Sequence, residues 1–200
     1  LTLLPAFFNA LPLLLMPIHI VFMELIVDPI CSIAFESEQE EKDIMRRKPR
    51  KPDEKFFGGR LMAYSIVKGL LLLMLVLSVY FLTINEGHTD GEIRAIAFSA
   101  LIIGNIVLIL TSLSSSRSFV SVVTEKNIPL HSILITASII LYLVISVPVL
   151  QQVFSFGFPG YTHFIPALAG ALLLLFLLEL IKYIRFRNAL LQSIFTLNKK

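Results

Sequence analysis

The chain has 200 residues, 56% of them hydrophobic and 16% charged, with a formal net charge of +3 and a mean hydropathy of +0.83. That balance excludes an ordinary soluble domain and points to a chain that crosses a membrane several times, so the lipid bilayer is its first expected partner. The lysines and arginines stand beside apolar spans and no nucleic-acid-binding motif is present, so no nucleic-acid partner is expected.

Residues 1–35 are apolar for too long to form a single ordinary span, and Pro12 and Pro17 interrupt them. They read as the end of one helix, a tight turn near Leu11 and Pro12, and a second helix reaching about Phe35. Leu1 already lies in apolar sequence, with no basic leader or small-residue cleavage site, so the start is not a signal peptide and the chain reads as a piece of something longer. The second helix holds the most informative stretch, Glu24-Leu-Ile-Val-Asp28-Pro29. A carboxylate near the bilayer centre costs at least ~2.5 kcal/mol, so both acids should face protein, water or a cation rather than lipid. Four residues apart, they share one face of a helix. Pro29 has no N–H and disfavours helical geometry at Asp28, so the sequence predicts a break that leaves carbonyls free beside the acids, the oxygen set a hard cation needs. A structural pair satisfied by a neighbouring helix, or a proton relay without metal, are the alternatives. His19, about a turn and a half earlier, reads as an interfacial residue or a proton gate. Cys31 is the single cysteine, cannot form an internal disulfide, and reads as a small packed residue.

From Glu36 to Arg60 runs a polar connector, acidic at Glu36, Glu38, Glu40, Glu41 and Asp43 and basic from Arg46 to Lys51. It reads as a solvated segment, with a docking surface for a soluble domain as the alternative. Four further spans follow, near 61–84, 93–113, 132–154 and 164–184, each long enough to cross ~30 Å of hydrocarbon. The expected fold is therefore all-α, a polytopic helix bundle with one partial and about five full membrane helices. It divides into residues 1–35, a connector 36–60, a four-helix region 61–184 and a tail 185–200. The basic connector and tail belong in the cytoplasm by the positive-inside rule, whereas Asn85 to Glu92 and Ser155 to Thr162 hold no lysine or arginine. Lys68 is placed to snorkel to the cytoplasmic face, and Glu179 with Lys182 to form an ion pair at i,i+3. Asn105, the one amide in its span, is a further candidate ligand or an interhelical hydrogen-bonding residue beside Gly104. His88, His131 and His163 show no metal-ligand spacing and read as surface residues. No phosphate loop, zinc-like cysteine set or Ser/His/Asp constellation is present, so no catalytic residue is assigned.

The acidic helix, its proline and the following Asp43-Ile-Met-Arg-Arg-Lys-Pro-Arg50 together resemble the C-terminal membrane region of P-type cation-transporting ATPases, in the group that includes calcium pumps. The resemblance covers nearly the whole chain. It implies that the chain runs from the end of the fifth membrane helix to the tenth. Its sixth helix would carry Glu24, Val27 and Asp28 where the family usually has Asn, Thr and Asp, with Pro29 in place of glycine. It implies a transported cation, Ca2+ by default, with Glu24, Asp28 and Asn105 as the metal-site candidates. Asn105 falls where some calcium pumps have a glutamate ligand, and an acidic ligand of the fifth helix would stand before Leu1. The resemblance also implies missing partners: the phosphorylation and nucleotide domains, which would handle ATP and Mg2+, and the first membrane helices. The chain alone is then a non-catalytic part of an ion-translocating ATP hydrolase in the plasma (inner) membrane, with a cytoplasmic C-terminus. The competing readings are a small proton-coupled secondary carrier, which lacks the internal repeats such carriers show, and a membrane scaffold subunit.

Overall fold

The computed structural model describes residues 13–37, 58–114 and 117–197, and the side chains of all of these but 60, 61, 186 and 188–197. The partial first helix, the turn near Leu11 and Pro12, and the Asp43 to Arg50 motif lie outside the described residues. The helices are α1 (Pro17–Glu36), α2 (Gly59–Asn85), α3 (Asp90–Leu113), α4 (Phe119–Thr124), α5 (Ile128–Ser146), α6 (Pro148–Phe154) and α7 (Ile165–Leu197), with a 3-10 turn at Tyr161–Phe164 before α7. No strand occurs among the described residues, and five helices, α1, α2, α3, α5 and α7, are long and apolar enough to cross a membrane. The protein is an all-α, multi-pass membrane helix bundle.

Lipid tails are as apolar as leucine, so burial alone does not drive these helices together; close packing through small residues does. The centre is α3, whose span is 61% buried against 22–33% for the other four. Ala95, Ala97, Ala100 and Gly104 line it and let its neighbours approach. A Cβ at Gly104 would meet the tip of Leu72 on α2, and one at Gly170 on α7 would meet the tip of Leu75. Outward, Leu70 and Met74, Ile135 and Ile139, and Leu172, Leu173 and Phe176 form the lipid-facing belt. Hydroxyls within the spans bond back to their own helices, as Thr83 does to the Val79 carbonyl and Ser99 to that of Ala95, which satisfies them without water.

Side-chain links order the two ends. At one, Asn127 Nδ2 donates to the Ser37 carbonyl at 2.9 Å, Lys68 Nζ to Ser112 Oγ at 2.8 Å, and the Phe119 N–H to Glu179 Oε1 at 3.2 Å. At the other, Arg94 Nε donates to the Ser155 carbonyl at 3.1 Å and the rings of His88 and His163 lie 4.5 Å apart. Among the described residues, Ser37, Lys68, Ser112, Phe119, Asn127 and Glu179 thus meet at one end and His88, Arg94, Ser155 and His163 at the other.

Several expectations are corrected. The span expected over 132–154 is two helices: α5 ends at Ser146, Val147 is extended (φ −87°, ψ 120°), and Pro148 opens α6. Proline removes the N–H the helix needs next and disfavours the α region at its predecessor; Gln151 Nε2 donates to the freed Ile145 carbonyl at 2.5 Å. Conversely, α1 runs unbroken through Pro29. Packing on both sides keeps it continuous, since Ile26 and Val27 before the proline and Ile30 and Ala34 after it sit against Ile109, Leu110, Val122 and Leu130. The span expected from 93 begins at Asp90, because Thr89 and Glu92 form a capping box, and the last helix extends past 184 to Leu197.

Candidate functional site

α1 is a 20-residue helix with two unlike faces. Phe22, Met23, Ile26, Val27, Ile30 and Ala34 pack inward against α3, α5 and their neighbours. On the other side Val21, Glu24, Leu25, Asp28, Ser32 and Phe35 are exposed, Leu25 by 69%. Glu24 and Asp28 flank the helix midpoint, about 6 Å apart along its axis. Neither has a hydrogen bond or ion pair to any described residue. The structure therefore places the two acids on one exposed face near the helix midpoint, and the structural pair satisfied by a neighbouring helix is not seen among the described residues. The helix is continuous, but Pro29 still lacks the N–H that would close on the Leu25 carbonyl, so one backbone oxygen on this stripe stays without its helical donor.

Asn105 lies on α3, half-buried, beside Gly104. Met23 packs in the cluster of Leu101, and Val27 in those of Ile102 and Ile109, so Asn105 stands at the depth of the acids. No described contact joins it to Glu24 or Asp28, and it makes no hydrogen bond to a described residue.

Sequence reasoning missed the role of His19, which is fully buried. Its Nδ1 accepts the Met16 N–H at 2.9 Å and its Nε2 lies 2.8 Å from the Phe154 carbonyl. Accepting at Nδ1 leaves the proton on Nε2, which donates to Phe154. The ring lies among Phe98, Phe154 and Phe156, with centroids 4.8–5.9 Å away. Position N3 of a helix opened by Pro17 was the one local signal; Phe154 is far away in sequence. His88 and His163, expected as separate surface residues, are half-buried partners, and His131 bonds the Asn127 and Val123 carbonyls. Lys182 and Glu179 pair at 3.5 Å as their spacing suggests. Lys68 is buried, with its Nζ on Ser112 in the last turn of α3 and over the Tyr64 ring.

The described residues form a multi-pass membrane helix bundle with two carboxylates near the midpoint of one helix. The family model for the C-terminus of cation-transporting ATPases matches residues 12–184. The chain belongs to that family and is the C-terminal membrane region of a P-type ATPase. It is 28% identical over 155 residues to the calcium-transporting ATPase of Bacillus subtilis (strain 168), a match covering 77% of this chain and 17% of that protein. It is 24% identical over 172 residues to calcium-transporting ATPase 1 of Lactococcus lactis subsp. lactis (strain IL1403), covering 84% of this chain and 19% of that one. The chain thus spans under a fifth of the length of these relatives.

Proposed function

We propose that this region supplies part of the ion-coordinating site of an ATP-driven pump, with Glu24 and Asp28 as ligands and Ca2+ as the transported ion. The observation that carries the reading is the placement of two carboxylates at mid-depth on a helix face with no partner among the described residues. Bare to lipid, that face is costly; against a cation and further protein oxygens it is favourable. Ca2+ takes six to eight oxygens, more than two carboxylates and the Leu25 carbonyl provide, so further ligands beyond these are needed, some of them from elements outside the described ones. Asn105 is an auxiliary oxygen donor at the same depth. The names of the two relatives support calcium as the ion. On this reading ATP and Mg2+ act on domains outside this chain, the pump resides in the plasma membrane, and the basic end of the bundle faces the cytoplasm.

The test is Ca2+ titration of phosphoenzyme formation from ATP in the full-length pump. Asp28→Asn keeps the size and one carbonyl oxygen but removes the charge that offsets dehydration of the ion, and is expected to abolish Ca2+-dependent phosphorylation at near-normal protein level. Glu24→Gln keeps an oxygen ligand and is expected to weaken apparent affinity by about tenfold, ~1.4 kcal/mol. Titrations of both variants that overlay the unmodified pump would leave the acids with a structural role only.

A further inference from the structure

We propose that Glu86, His88 and His163, backed by Glu92, form a binding site for one divalent transition-metal ion, Zn2+ above all, at the end of the bundle away from the basic segments. Among the described residues this is the one group whose donor atoms converge, each within 4.8 Å of the others. Two parts of the chain build it. Glu86 and His88 lie in the turn between α2 and α3, and His163 in the 3-10 turn before α7.

The hydrogen bonding around His88 argues for a cation. Its Nδ1 lies 3.3 Å from Glu92 Oε2 and its Nε2 lies 3.2 Å from Glu86 Oε2. With Nδ1–H donated to Glu92, Nε2 faces the Glu86 carboxylate, a contact that calls for a second proton or a bound metal ion, since a bare lone pair there would be repelled. A metal ion between Nε2 and Glu86 turns that repulsion into ligation. Glu92 is held by the Thr89 N–H at 2.9 Å, and it then orients the imidazole from behind, the carboxylate–histidine–metal relay of ordinary zinc sites. Tetrahedral Zn2+ sets its nitrogen and oxygen donors about 3.4 Å apart. His88 and Glu86 already have that separation. The His163 ring, edge-on to His88 at 81° with centroids 4.5 Å apart, closes to it by side-chain rotation.

Two glycine turns and a close backbone approach shape the frame. Gly87 (φ +79°) and Gly160 (φ +99°) adopt left-handed turns that return His88 over Glu86 and carry His163 inward. The two segments are clamped beside the site where Gly91 meets the Gly157 backbone and Arg94 holds the Ser155 carbonyl. Mixed imidazole and carboxylate donors favour Zn2+ over Ca2+ or Mg2+, which take oxygens. The site does not depend on the transport reading, since it shares no residue with the Glu24 and Asp28 face.

The experiment titrates ZnCl2 into the full-length protein in detergent against a chromophoric chelator, with Ca2+ saturating, and records the visible spectrum with CoCl2. Expected is one Zn2+ equivalent that His88→Gln and His163→Gln each remove or weaken by at least about tenfold, and that Glu92→Gln weakens by a similar factor. The tetrahedral Co2+ bands should vanish in both histidine variants and persist in His131→Gln and Asp28→Asn. Melting in EDTA checks that each variant folds, and the two histidines, on different elements, provide independent tests. Zinc stoichiometry and affinity unchanged in both histidine variants, or Co2+ bands indifferent to them, would overturn the site and leave His88 in a metal-free ion-pair network with its two glutamates.

Discussion

His19 shows how one side chain joins segments that share no local sequence logic. It caps the Met16 N–H, closes on the Phe154 carbonyl and fills a cage of three phenylalanines. His19→Phe keeps an aromatic ring but strands both backbone groups in a dry site, and is expected to cost about 1–3 kcal/mol, read as a lower melting temperature of the detergent-solubilised protein. His19→Ala adds a cavity and should cost more, about 3–5 kcal/mol. If His19→Phe melts with the unmodified protein, the two hydrogen bonds contribute little and packing alone fixes this corner. Glu24 and Asp28 are the opposite case. Their i,i+4 spacing and mid-helix position are legible in the sequence, because helix period and hydrocarbon cost alone place them on one unusual face.

Prolines and glycines acted according to their packing as much as their chemistry. Pro29 and Pro148 both lack an N–H, yet one helix continues and the other breaks. Ile30 and Ala34 bury the residues beyond Pro29 in the same cluster as those before it, whereas the chain at Val147 turns extended and Gln151 covers the exposed carbonyl. Gly91 and Gly104 differ in the same way. A Cβ on Gly91 would lie 2.8 Å from the backbone nitrogen of Gly157, which has no side chain to swing aside. One on Gly104 meets the tip of Leu72, which can rotate. Gly91→Ala is therefore expected to destabilise by about 1–3 kcal/mol and to raise hydrogen exchange over 155–160, while Gly104→Ala costs less. Equal melting temperatures for the two variants would contradict this ordering.

At the scale of the molecule, the links between segments at each end impose sidedness. Ser37, Ser112, Phe119 and Asn127 belong to one end, and His88, Arg94, Ser155 and His163 to the other. With the basic segments cytoplasmic, a cysteine at Lys126 should be protected from an impermeant maleimide in intact cells and one at Thr89 modified. The reverse labelling pattern would invert the orientation while leaving the bundle as described.

Sequence alone determined that the chain is an all-α membrane bundle, roughly where its spans lie, and that α1 carries acids where lipid does not accept them. These follow from local quantities: hydropathy over twenty residues, helix period, and the transfer cost of a charge. Only the tertiary structure decided that α3 is the hub, that Pro29 leaves its helix whole, that His19 is sealed in a phenylalanine cage, and that His88 meets His163. Each of these depends on which distant segments pack together. In a bilayer that choice is made by small-residue fit and a few polar links, which leave little trace in the local pattern of the chain.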